Sequence, residues 1–489
     1  MLPSSKKALQ EAGHLVASLV GPEACAALCC AASTCSEPAL AFDWAGQCKD
    51  EFGAVCAQYL CYLGLLDAAC AETSSTCWRQ LYLRLRAFHR SLRAGHYLDK
   101  AFPAKATIHF EETPRLLQGG HTVVFGGDDE RVAIFRIQPS KQSLIQSFRP
   151  ADFLDVVPIS PSEVVGVTRA LDLERWCFSD EMCQTARDTC SCRVKSNLAA
   201  DGDVLEGLRL FVEHVAGRLF LFAGASIYAF DLHSLEELYV LIVPTDEALD
   251  ETRCGDQEIL ARWDYGLAFL AHQAEGREVA VWSTQDGAHR GHIRSGCELL
   301  CCDISHNSSS AIVATLETDG EIRLFTSQAS DGTQATWECS ISVSVESLEE
   351  SPIQPIVEVK LEQSVLLAVT HSEDGATGVI HVWEILSQLH LLQNHYFLFC
   401  DRPPDRVEAR HGGQFIEVFF LTDSLNPRPP DGIYNIKWFS PKLELLFNLD
   451  RCVGDWRCDL RDVAARLEDD RTISWAPLWR PICLTTACS

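Results

Sequence analysis

Residues 121–137 read HTVVFGGDDERVAIFRI: an apolar run, a polar Gly/Asp tip, then an alternating strand that carries an aromatic near its end. The same succession returns in GRLFLFAGASIYAFDL (217–232), GLAFLAHQAEGREVAVWS (266–283), SAIVATLETDGEIRLFTS (310–327) and SVLLAVTHSEDGATGVIHVWEI (364–385). Each predicts a hairpin, because Gly and Asp-Gly pairs accept the positive φ that a tight turn demands. The terminal aromatics are Phe135, Phe230, Trp282, Phe325 and Trp383. Trp176 in LERWCFSD falls inside the wide first gap, and Trp438 in GIYNIKWFSP extends the series. Successive steps are then 41, 54, 52, 43, 58 and 55 residues.

The first hundred residues lack this alternation. Apolar residues there recur every three or four positions, which predicts helices over 8–20, 23–35, 39–49, 53–71 and 76–93. In the last of these Trp78, Leu81, Leu85, Phe88 and Leu92 share a face, while Arg79, Arg86, Arg90 and Arg93 take others. After Pro103 the pattern turns to strands. Segments 177–205, 345–355, 401–413 and 421–432 are polar or proline-containing and read as loops. KLELLFNLDRCVGDWRCDL (442–460) reads as part of another unit, and TISWAPLW (472–479) as the strand that closes a ring. A repeat of about 40–60 residues with two visible strands has the spacing of propeller blades. The expected fold class is α+β multidomain: a short N-terminal helical bundle followed by an all-β propeller. Seven blades are counted, with six and eight as the neighbouring counts. The expected boundaries are 8–60 for a helical module, 61–100 for a helical linker and 104–489 for the propeller.

The 489 residues exceed one ordinary domain, and 47% hydrophobic content supports a sizeable core. No uncharged 18-residue apolar run offers a membrane span, and the nearest candidate, 15–35, is broken by Gly21-Pro22-Glu23. With no secretory pattern, the expected location is the cytoplasm, the nucleus or both. There the 23 scattered cysteines serve as small apolar residues. Net charge is −27; residues 1–110 carry +1 and the remainder −28, from 31 Lys/Arg against 59 Asp/Glu. That field disfavours nucleic-acid backbones and anionic membranes as partners.

Two stretches carry a resemblance. Trp282 and Trp383 stand where WD-repeat propellers place a terminal Trp, although no copy ends in Trp-Asp; Phe230-Asp231 comes nearest. LVASLVGPEACAALCCAAST (15–34) and DWAGQCKDEFG (43–53) resemble an F-box, the latter in Trp44, Cys48, Phe52 and Gly53. TCWRQLYLRLRAFHRSLRAGHY (76–97) is similar to the Trp-led helix that follows many F-boxes. The helical part is thus expected to be a short F-box-like bundle. This order of modules resembles the substrate receptors of cullin-type (SCF) ubiquitin ligases. The resemblance implies an F-box docked on a Skp-type adaptor in a cullin complex, with a protein substrate on the propeller face. It would put Leu15, Leu19, Pro22, Leu28 and Trp44 at or under the adaptor surface. The alternative is a non-enzymatic propeller scaffold for protein assembly, with a helical cap and no ligase connection.

Nothing in the sequence predicts catalysis, a cofactor or a metal. Cys177, Cys183, Cys190 and Cys192 lack the close pair spacing of structural zinc sites. Asp128-Asp129-Glu130 is a hairpin tip. His371, His381, His390 and His395 alternate with apolar strand residues and have no partner motif. There is no phosphate loop, Gly-x-Ser-x-Gly or dinucleotide fingerprint. A hydrolase or lyase would need carboxylates or histidines converging at one ring face.

Overall fold

In the computed structural model the described residues are 43–52, 55–62, 75–93 and, between 104 and 477, the strands and part of the turns between them. Three helices come first: α1 (Trp44–Phe52), α2 (Val55–Tyr62) and α3 (Ser75–Arg93). The helices expected over 8–20 and 23–35 lie outside the described residues.

The strands follow in fours. After β1 (Ala104–Thr107) come β2 (Arg115–Leu116), β3 (Thr122–Gly127), β4 (Arg131–Gln138) and β5 (Lys141–Ser147). The second set is β6 (Phe153–Ser160), β7 (Glu163–Thr168), β8 (Asp172–Cys177) and β9 (Cys192–Arg193). The third is β10 (Arg209–Glu213), β11 (Arg218–Ala223), β12 (Ser226–Asp231) and β13 (Glu237–Ile242). The fourth is β14 (Ile259–Leu260), β15 (Phe269–His272), β16 (Glu278–Trp282) and β17 (His289–Arg294). The fifth is β18 (Leu299–His306), β19 (Ala311–Glu317), β20 (Glu321–Gln328) and β21 (Thr336–Ser344). The sixth is β22 (Ile356–Glu362), β23 (Val365–His371), β24 (Gly378–Leu386) and β25 (Leu391–Cys400). The last strands are β26 (Arg406–Arg410), β27 (Phe415–Asp423), β28 (Ile433–Phe439), β29 (Leu445–Val453), β30 (Val463–Asp469) and β31 (Thr472–Pro477).

Each set of four is an antiparallel meander, and all seven aromatics of the sequence series lie on a third strand. In six of those seven, the pairing of third with fourth strand slips beside the aromatic, as at Ala229/Phe230, Val281/Trp282 and Trp383/Glu384. A bulge adds local twist, and its recurrence marks the units as copies of one design. First strands of successive sheets touch: β6 on β10, β18 on β22 and β22 on β26. Sheets radiating from a ring of inner strands form a β-propeller.

Five sheets in succession, β6–β9 through β22–β25, are separate four-stranded blades with side chains described in part. Of β2–β5 only the backbone is described. Among the described residues, then, the expected seven separate blades are not observed. The last strands merge into one seven-stranded sheet, because the pair Cys452↔Arg466 joins β29 to β30 and β31 pairs in turn with β1. The pairing of β31 with β1 runs from Ala104↔Trp475 to Thr107↔Thr472 and closes the ring, as the sequence of 472–479 suggests. Strands intrude on three of the segments expected as loops: β9 lies within 177–205, β27 runs on to Asp423 in 421–432, and the largest departure is β26. Within 401–413, residues 406–410 form β26, because Val407 and Ala409 alternate inward and join a buried cluster with Leu367 and Val369 of β23.

The core lies between blades, where facing sheets interdigitate. One cluster joins Val157, Val165 and Leu173 of the second sheet to Leu210, Leu219 and Phe230 of the third. Another joins Leu316 and Leu324 of the fifth to Leu361, Leu366 and Trp383 of the sixth. Each such side chain contributes roughly 1.5–3 kcal/mol on burial. Polar clips cross the same seams. Asp155 accepts from Leu210 N at 2.6 Å on the next blade's first strand, and Asp303 accepts from Leu361 N at 2.7 Å in the equivalent place. Arg218 of β11 donates to the Thr284 carbonyl at 2.7 Å in the turn after β16, a carbonyl that the Tyr239 hydroxyl also reaches. Gly287 in that turn has φ +67°, and a Cβ there would stand 2.6 Å from the Tyr239 ring.

Candidate functional site

The helices form a small unit of their own. Asp43 caps α1, its carboxylate accepting from Gly46 N at 2.9 Å. Trp44, Cys48 and Phe52 recur every fourth residue, so they share one face, and all three are buried. The Tyr82 ring of α3 meets Trp44 at 5.5 Å and Phe52 at 5.6 Å between centroids. The Cys48 thiol donates to the Trp78 carbonyl at 3.5 Å. Burial pushes the Cys48 and Cys56 thiols well up, so both stay protonated and apolar. Glu51 accepts from the Tyr82 hydroxyl at 2.9 Å and pairs with Arg86. His89 lies edge-on between Phe52, at 4.9 Å, and Phe415 of β27, at 4.5 Å. Through that imidazole the helices rest on the propeller.

Of the five residues that the F-box resemblance assigns to adaptor docking, Trp44 sits in this helical core, 1% exposed. Leu15, Leu19, Pro22 and Leu28 lie outside the described residues. So do Cys183, Cys190, Asp128-Asp129-Glu130 and His390, while Cys177 and Cys192 are described in backbone alone.

The histidines require a correction. His381 and His395 do have a partner, namely each other, with Nδ1 and Nε2 3.1 Å apart. The register that sets Trp383 opposite His395 creates the pair, and residues 14 apart along the chain do not reveal it. The Trp383 and His395 rings stack at 4.6 Å and 5°. Burial holds both imidazoles below their ordinary pKa, and His381, beside His395, falls to about 4. His395 starts a file on the outer strand β25: Phe397 at 6.1 Å, then Phe399 at a further 5.6 Å. Phe397 is 45% exposed and Phe399 67%. Their spacing of two residues is legible in NHYFLFC as one face of a strand; their exposure is not.

Among the described residues, Cys297, Glu317 and Asp319 bring three ligand atoms within 4.8 Å of one another. Arg323 already fills that place. Its guanidinium pairs with Glu317 and, at 2.9 Å, with both Asp319 and Glu321. The hydrogen bond from Cys297 to Asp319 raises the thiol further from its metal-binding form. The trio is a structural ion-pair knot at a hairpin tip.

No family model matches the chain, and no curated protein matches it. Among solved structures, it is similar to the C-terminal WD40 domain of Sif2, with 11% identity, 76% of this chain and 99% of that one covered, and a TM-score of 0.44. BamB from Moraxella catarrhalis gives 11% identity, 77% and 100% coverage, and 0.43. Sqt1 from Saccharomyces cerevisiae gives 9%, 76% and 97%, and 0.43. The sheet topology, not this likeness, establishes the propeller.

Proposed function

We propose that this chain is a non-enzymatic scaffold whose propeller binds other proteins. One observation carries this reading. Of the six large apolar side chains that stand exposed among the described residues, five sit on the fourth strands of their meanders. They are Leu238 and Val240 on β13, Phe397 and Phe399 on β25, and Leu445 on β29. β13 and β25 are sheet edges, and exposed apolar surface gathered there suits docking of a partner. Cross-linking mass spectrometry of the full chain with its captured partners tests it. Cross-links should concentrate beside these outer strands, and links confined to the helices would remove the reading.

A second reading has an observation of its own. Trp44, Cys48 and Phe52, three motif positions of the F-box resemblance, share the buried face packed on the Trp78 helix. On this reading the N-terminal segment docks a Skp-type adaptor through Leu15, Leu19, Pro22 and Leu28, with Trp44 supporting them from below. The chain would then serve a cullin-type ubiquitin ligase by holding substrate near the charged enzyme, supplying proximity and no reactive group. Adaptor capture by the full chain should fall at least tenfold in Leu15→Asp/Leu28→Asp, with the melting temperature of the propeller unchanged. Undiminished capture removes the reading.

A further inference from the structure

We propose that the outer strand β25 is the docking edge for one kind of partner: an extended apolar segment with basic residues at its ends. This edge deepens the protein-binding reading and rests on it, giving it a place and a ligand class.

β25 differs first in composition. It is ten residues long, and LLQNHYFLFC contains no Lys, Arg, Asp or Glu. Every other fourth strand carries at least one: Lys141 on β5, Arg193 on β9, Glu237 on β13, Arg290 on β17, Glu338 on β21 and Asp450 on β29. Charges on an edge are how sheets refuse an added strand, and β25 alone lacks that defence. Among the described residues it pairs only with β24, so its outer backbone groups face away from the sheet.

Its side chains supply the second feature. Tyr396 and Leu398 turn toward the following blade and pack on its core, while Phe397 and Phe399 turn the other way and remain exposed. The Trp383–His395 stack fixes the near end of that aromatic file, so little ordering remains to be done on binding. An added strand would gain main-chain hydrogen bonds, with alternate side chains against Phe397 and Phe399 giving selectivity.

Charge supplies the third. Asp401, directly after the strand, is an exposed acid. The neighbouring cations, Arg402 and Lys437, lie instead over the Phe420 ring, 4.9 and 5.1 Å from its centroid. Residues 111–489 carry −28 overall. A second copy of the chain would bring the same sign to the edge, whereas Lys or Arg flanks complement it and can also sit over the exposed Phe rings.

The probe is a synthetic twelve-residue peptide with an alternating Val/Thr core and two lysines at each end, titrated against the full chain. The control has the same core with two glutamates at each end. The lysine-flanked peptide should bind, the glutamate-flanked one at least tenfold more weakly, and the gap should narrow in 0.5 M salt. Phe397→Ser/Phe399→Ser should lose at least tenfold. Hydrogen exchange on the unaltered chain gives a second readout: amides of 391–400 should slow on peptide addition. Binding without that protection, or undiminished in the double variant, overturns this site and leaves the scaffold reading standing. No binding of the lysine peptide overturns the proposal. Self-association of the free chain that the double variant abolishes would assign the edge to a second copy and overturn it as well.

Discussion

A buried carboxylate on an inner strand is destabilising unless its oxygens are occupied, and Asp303 occupies both. One accepts from its neighbour Ile304 N at 2.9 Å and the other from Leu361 N on the next blade. Asp303→Ala therefore leaves a buried amide without an acceptor and should cost about 1–3 kcal/mol in urea denaturation. The exposed Asp286→Ala serves as the comparison and should cost clearly less. His381 gives a pH signature. Its folded pKa near 4 lies below the ordinary 6.5, so between those values the unfolded chain binds the proton better. The stability tied to its neutral form is complete above pH 6.5 and disappears as pH falls toward 4, up to roughly 3 kcal/mol. Glu213, raised by burial to about 7, works in the opposite direction across an overlapping range. The clean measurement is therefore a difference. His381→Gln should show a shallower fall in melting temperature between pH 7 and pH 4.5 than the unaltered chain. Parallel curves would refute it.

At the scale of strands and helices, legibility followed periodicity. Seven aromatics 41–58 residues apart all landed on third strands, because one hairpin design repeats and its aromatic sits at the bulge. The Trp-led helix likewise appears as α3, with Trp78, Leu81 and Leu85 buried as its apolar spacing implies. Failures came where the signal was not local. β26 looks like a loop because of its charged residues, yet they are not solvated; Arg406 pairs with Glu408, and Arg410 reaches Glu417 at 3.2 Å. The expected blade count failed at the end of the chain, where two sheets meet through a single bridging pair. The His381–His395 contact needed a register. His89 is one polar residue on a helix until Phe415 arrives from a strand more than 300 positions away.

Across the whole molecule, the propeller is a ring held at its seams. Inner-strand aspartates, the Arg218 and Tyr239 grip on Thr284, and the apolar clusters all act between neighbouring blades, so each blade leans on the next. The pairing of β1 with β31 joins parts of the chain that are far apart in sequence and closes the circle. Trp475→Pro removes a backbone donor from the closing sheet and should destabilise the protein by about 1–3 kcal/mol. Limited proteolysis should then cut first within 463–477. Cleavage rates equal to those of the unaltered chain would show that closure contributes nothing.

The same clasp sets a clock on synthesis. Thr107 and Thr472 are roughly 365 residues apart, which at about 5–20 residues per second is on the order of 20–70 seconds of translation. Throughout that interval the nascent ring has two raw edges, β1 at one end and the newest strand at the other. A chain abandoned anywhere before residue 472 is an open stack of sheets that can recruit a stranger's strand. The closing pair thus separates the two cases, since β1 lies against β31 once 472–477 has been made and has no such strand beside it in any shorter fragment.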